Sequence, residues 1–120
     1  MPKAVLVGGD PKLEQVQSGF EAAGWEVAVV KQVEVALALM ERRQIDVVVI
    51  KACGVALQTN AGRKMIETLR QNGYSGPVAA IACNNACKLH LEQAGANHVL
   101  LAGLDLTDKA QIVAESLAAA

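Results

Sequence analysis

Five times along this chain a short aliphatic run passes into an amphipathic stretch of helical period, and that alternation restricts the fold more than any other feature. Lys3–Val7 reads as a strand, and residues 11–23 as a helix with Leu13, Val16 and Phe20 on one face. Asp10 before Pro11 marks the helix start, because a carboxylate caps free N–H groups and proline suits the first turn. Gly24 ends that helix. Residues 25–30 form the second strand and 33–43 the second helix, with Val33, Ala36, Leu37 and Met40 inward. Ile-Asp-Val-Val-Val-Ile at 45–50 is nearly continuous β-branched residue, as in a central strand buried on both faces. A polar, glycine-bearing loop is expected from Ala52 to about Ala61, then a helix to Gln71 carrying Met65, Ile66 and Leu69. After the turn Asn-Gly-Tyr-Ser-Gly-Pro at 72–77 come strand 78–82, helix 85–93 stopped by Gly95, strand 98–101 and helix 106–117. The last helix carries Ala110, Val113 and Leu117 on one face.

Strands alternating with helices through short connections imply parallel pairing and right-handed crossovers. Strands one, three and four are the most apolar and belong in the middle. The expected architecture is α/β: a single three-layer, flavodoxin-like (βα)5 domain over residues 1–120, with sheet order 2-1-3-4-5. No internal repeat, low-complexity tract or linker interrupts it.

Composition narrows function by exclusion. Phe20, Trp25 and Tyr74 are the only aromatic residues, so the core is aliphatic and bases have almost nothing to stack on. The net charge is −1 and the basic residues are scattered, which leaves no stripe to neutralise phosphates. Nucleic acid is not an expected partner. The apolar runs are strand-sized, well short of the roughly 20 residues that span a bilayer, so no membrane association is expected. The start, Met-Pro-Lys-Ala, runs straight into a strand pattern without a signal-peptide pattern, and a cytoplasmic location is the expectation. Three cysteines, an odd number, fit a reducing compartment better than a disulfide framework.

Landmarks along the whole length resemble the receiver domains of two-component response regulators. Val5-Leu6-Val7 followed by Asp10-Pro11 is similar to the family's first strand and helix start. Ala22-Ala23-Gly24-Trp25-Glu26-Val27 resembles its "EAGYEV" turn, and residues 45–50 its third strand. Gly76-Pro77-Val78 resembles the entry to strand four, and Ala94-Gly95-Ala96-Asn97-His98 the "AGADD" segment before strand five.

The resemblance implies a site and, at each position of it, a missing group. Receivers hold magnesium on an acidic pair after strand one and phosphorylate an aspartate ending strand three. A Ser or Thr ending strand four and a lysine ending strand five engage the product. Metal and lysine act by neutralising charge on the transferring group. Here the acidic pair aligns with Gly8 and Gly9, the nucleophile with Lys51, the hydroxyl with Ala82 and the lysine with Ala102, followed by Gly103 in place of the usual proline. The aromatic that swings on activation aligns with Val99. An ammonium cannot form an acyl phosphate, and magnesium needs carboxylate oxygens. Asp10 reads as the helix cap beside this degenerate pocket. The loop after Lys51 runs longer than the family's and the segment from Ala82 to Ala94 is shorter, so the rim at the strands' carboxyl ends is altered as well.

Lys51 admits two readings: an amine of lowered pKa for Schiff-base or anion chemistry, or a cation filling the vacated acidic pocket. The second is preferred, because no acid, base or phosphate loop accompanies it. Gly8-Gly9 lacks the third glycine and the strand-two acid of a dinucleotide fingerprint, and the Asp-x-His-x-x-Gly signature of cobalamin-binding relatives of this fold is absent. The cysteines carry the alternative. Cys53 follows strand three, Cys83 follows strand four, and Cys87 and His90 succeed it at helical spacing, so these four would converge at the sheet's carboxyl edge as a metal or thiol-redox site. The spacing Cys-x3-Cys-x2-His matches no established structural zinc site, and the preferred reading is three buried structural cysteines with His90 and His98 on the surface.

The function expected from the sequence is therefore a phosphorylation-independent pseudo-receiver, not an enzyme and without cofactor or metal, that docks on another signalling protein or domain. The resemblance adds a face for a weak homodimer: helix four, strand five and helix five, with Leu89, Leu91, Val99 and Leu101.

Overall fold

A Val-Val-Val-Ile run has no face to show water, and in the computed structural model it forms the middle of a five-stranded parallel sheet. The model describes residues 2–8, 11–42, 44–51 and 56–119, and for 56–61 the backbone alone. The elements run β1 (Lys3–Val7), α1 (Lys12–Ala22), β2 (Glu26–Val30), α2 (Val33–Arg42), β3 (Val47–Lys51), α3 (Ala56–Gln71), β4 (Val78–Ala82), α4 (Asn85–Gln93), β5 (His98–Leu101) and α5 (Leu106–Ala119). The sheet order is β2-β1-β3-β4-β5, every pair parallel, as the alternation requires.

Side-chain alternation along the strands splits the core into two layers. Ala4, Leu6, Val47, Val49, Ala79, Ile81 and Leu100 meet α1 and α5 through Leu13, Val16, Phe20, Leu106, Ala110 and Ala114. Val5, Val7, Val48, Ile50, Val78, Ala80 and Ala82 meet the opposite helices through Ala36, Ile66, Leu69, Cys87 and Leu91. Every residue of β1 and β4 is buried, whereas the edge strand β2 is half open.

Where boundaries differ from the sequence reading, tertiary contacts decide them. Trp25 precedes β2 because its amide donates to Phe20 O at 3.0 Å, closing the end of α1. Its indole packs edge-on against Phe20, with ring centroids 5.1 Å apart, and donates to Ala114 O of α5 at 3.1 Å. Ile45 and Asp46 precede β3, and Asp46 clips it to β1: its carboxylate accepts from the Lys3 amide at 2.8 Å while its own amide donates to Lys3 O at 2.9 Å. The expected loop to about Ala61 is shorter than the sequence suggested, because α3 already begins at Ala56. Alanine, leucine and glutamine favour helix strongly enough to carry Gly62, which costs about 1 kcal/mol inside one. The alanine tail likewise extends α5 to Ala119. Pro11 occupies the N-cap position of α1; Asp10, read as the cap, lies outside the described residues. Among the described residues no helix is long and apolar enough to cross a membrane.

Candidate functional site

In an open parallel sheet of this order, ligands meet the crevice at the carboxyl ends of the strands. That edge is assembled here from Gly8 after β1, Lys51 closing β3, Ala82 and Cys83 at the end of β4, and Ala102 after β5. Backbone bonds fix the strand ends: Gly8 N donates to Val30 O and Ala102 N to Ala82 O, both at 2.8 Å. The expected pocket positions thus fall at adjacent strand ends, apart from Gly9, which lies outside the described residues.

None of the described positions offers an oxygen ligand or a nucleophilic oxygen from its side chain. Gly8 has φ +136°, a backbone region that side chains rarely adopt, and a Cβ there would stand 3.1 Å from Leu13 Cδ1. The chain is built around glycine at this point, not merely missing an acid. Lys51 ends β3 opposite Ile81 and is half-buried. Ala82 is fully buried against the α2–α4 side. Ala102 packs on the opposite layer. Val99, at the position of the family's moving aromatic, is partly buried under α4.

Cations gather at this rim. Lys12 Nζ lies 3.9 Å from Cys83 Sγ, and Lys109 Nζ reaches the β5 end, 3.4 Å from Leu101 O and 3.3 Å from the Asp105 carboxylate. Neither lysine was singled out by the sequence. Lys12, at the start of α1, meets Cys83 across 71 residues of sequence, which local pattern does not report.

The cysteines separate. α4 starts at Asn85, capped by the Asn84 side chain accepting from Cys87 N at 2.8 Å, so Cys83 precedes the helix instead of stacking over Cys87. Cys83 is exposed and disulfide-bonded. Cys87 is not disulfide-bonded and is buried in the α2–α4 layer. Cys53 lies outside the described residues. The sequence reading placed His90 and His98 at the surface; both are half-buried, and His90 Nε2 is buried without a hydrogen-bond partner among the described residues. Among the described residues no group of three or more His, Cys, Asp or Glu comes together as a metal site would need.

The face named for a homodimer also needs correction. Leu91 is fully buried, and Val99 and Leu101 lie partly buried beneath α4, because alternation along β5 turns them to that layer. Leu89 is exposed as that face requires, and Leu104 and Ile112 are exposed as well.

A cavity of about 520 Å³ lies at the opposite, amino edge, between the end of α2, Asp46 and the turn 72–77. One of its walls is the Tyr74 ring. The Tyr74 hydroxyl donates to Pro77 O at 2.7 Å and the Arg70 guanidinium sits 5.7 Å from the ring centre. Burial pushes the Tyr74 pKa up from 10.0 to about 12, with Arg70 pulling partly against it. The native state therefore holds this proton more tightly than the unfolded chain. Its contribution to stability is complete below pH 10.0 and is lost as pH rises towards about 12. Urea midpoints across that window should fall more steeply for the wild type than for Tyr74→Phe; equal slopes would contradict the assignment.

Comparison with solved structures agrees with this geometry. A response regulator from Thermotoga maritima superposes with a TM-score of 0.81 at 18% identity, over 100% of this chain and 99% of that one. The receiver domain of a Francisella response regulator gives a TM-score of 0.75 at 22% identity, over 98% and 96%. The chain has the receiver fold. A third similar receiver fold, with a TM-score of 0.73 at 14% identity over 96% of this chain and 93% of that one, is an atypical orphan response regulator described as having a phosphorylation-independent regulatory mechanism. No protein-family model matches the sequence, and no curated protein matches it. The likeness to solved structures is thus one of fold, at 14–22% identity.

Proposed function

We propose that this chain is a receiver-like signalling module that acts by binding another signalling protein or domain, without phosphoryl transfer and without catalysis of its own. The observation that carries the reading is the end of β3. A lysine stands there in place of a carboxylate, beside a β1 end whose backbone favours glycine and a β4 end closed by a buried alanine. An ammonium offers no oxygen to a phosphoryl donor, and the described edge gives magnesium no carboxylate at the acidic-pair position. The same residues disarm the family's switch, since Ala82 has no hydroxyl and Val99 no ring to move. The similar orphan regulator described as phosphorylation-independent offers a precedent for this mode of action.

The test is partner capture on the full-length immobilised chain, with magnesium and acetyl phosphate in one arm and a chelator in the other. The same protein should be retained equally in both. Lys51→Met should remain folded, within about 1 kcal/mol of the wild type, because ion pairs near a surface contribute little and a thioether is cheap to desolvate. Retention that appears only with magnesium and the phosphoryl donor would overturn the proposal.

A further inference from the structure

We infer that the cavity at the amino edge of the sheet binds a small organic cation, a primary ammonium carried on a short apolar body. The site stands apart from the phosphoryl question, since it lies at the edge opposite the carboxyl ends of the strands. Size, lining and charge lead to it. At about 520 Å³ the cavity falls in the range that encloses a small molecule. Leu37, Met40, Ile45 and Tyr74 give it apolar wall and Glu41 and Asp46 give it carboxylates, while among the described residues no Lys, Arg or His lines it.

Neither carboxylate has a counterion among the described residues. Asp46 takes the Lys3 amide on Oδ2 and no hydrogen bond on Oδ1. Glu41, near the end of α2, is exposed and makes no ion pair. The two bases bonded to this wall are engaged elsewhere. Lys3 Nζ meets Glu26 at 3.6 Å, and the Arg70 guanidinium donates to Tyr74 O at 3.0 Å, Gly76 O at 2.6 Å and Asn97 Oδ1 at 3.2 Å. Carboxylates set against apolar surface, with no protein cation to neutralise them, complement a ligand that brings positive charge and hydrocarbon together.

The walls are set before a ligand arrives. Arg70, the Tyr74 hydroxyl on Pro77 O and the Asn72 amide on Thr68 O at 2.8 Å hold the turn 72–77. The paired bonds between Asp46 and Lys3 hold the other side. Little ordering is left for binding to impose. With its pKa pushed up to about 12, Tyr74 stays a neutral phenol at physiological pH and offers the aromatic surface that a cation favours.

Amide NMR of the full chain, titrated with three probes of one shape, tests this. Phenethylammonium should shift the amides of residues 44–46 and 72–76 saturably at millimolar concentration or below. Phenethyl alcohol and hydrocinnamate, its neutral and anionic counterparts, should bind at least about tenfold more weakly. Asp46→Asn keeps an oxygen for the Lys3 amide and Glu41→Gln alters an exposed residue, so both should melt with the wild type. The first should weaken the cation about tenfold and the second about threefold. A capped tripeptide with a central lysine should bind more weakly than phenethylammonium, because its backbone must stay outside the cavity. No saturable shift, equal affinity for the three probes, or unchanged affinity in both variants would overturn the assignment. So would shifts centred on Trp25 and Ala118, which line a second cavity of about 410 Å³. Tighter binding of the tripeptide would give the cavity to a basic side chain of a docked protein and overturn the small-molecule assignment. None of these readouts depends on phosphoryl transfer or on a signalling partner.

Discussion

Gly19→Ala is expected to destabilise the protein by about 2 kcal/mol or more, even though alanine is the better helix former by about 1 kcal/mol. Gly19 lies on the buried face of α1, where α5 crosses it at close approach. A Cβ added there would press into the Thr107 carbonyl and stand 2.8 Å from Ala110 Cβ and 2.9 Å from Gln111 N. Two of these neighbours are backbone atoms, which cannot rotate aside, so the two helices must separate. Separation opens the layer that holds Leu13, Val16, Phe20 and Leu106. The melting temperature should fall by roughly 8 °C, at about 4 °C per kcal/mol for a chain of this size. A wild-type or raised melting temperature would mean that α1 and α5 are not in contact at Gly19.

Gly8→Asp, which reinstates half of the family's acidic pair, is expected to cost roughly 1–3 kcal/mol and to bring no magnesium affinity. The cost comes from the backbone at φ +136° and from crowding against Leu13, one of the buried residues that seat α1. Gly8→Ala separates strain from charge, because it meets the same backbone and the same leucine without a carboxylate. Both variants should lose similar stability in urea, with midpoints unmoved by millimolar magnesium. An aspartate variant as stable as the wild type, or one stabilised by magnesium, would show a β1 end still organised as an ion site.

Much of this architecture was legible in the sequence because it follows from local pattern. The bounds of β4, α4 and β5 were read correctly, since an alanine–isoleucine strand, an Asn cap and a glycine stop each act within a few residues. Lys51, Ala82 and Ala102 could be placed at strand ends for the same reason. What escaped depends on contacts between distant segments. The need for glycine at position 19 arises only where α5 lies against α1, and nothing local in the sequence announces it. The start of α3 was obscured by Asn60 and Gly62, residues common in loops that a helix also tolerates. Leu91 was assigned to an outer face through the family resemblance, and only the sheet beneath shows which leucine of α4 turns inward. The approach of Lys12 to Cys83 spans 71 residues of sequence and has no local signature at all.

Whether this receiver fold can accept a phosphoryl group decides between a phosphorylation-independent module and an ordinary receiver. The direct measurement is intact mass of the full chain after incubation with acetyl phosphate and magnesium, compared with the same incubation in a chelator. Lys51 at the end of β3 and glycine at Gly8 require that the two spectra be the same. A magnesium-dependent phosphoryl adduct, stable in acid and labile in base as an acyl phosphate is, would contradict the account.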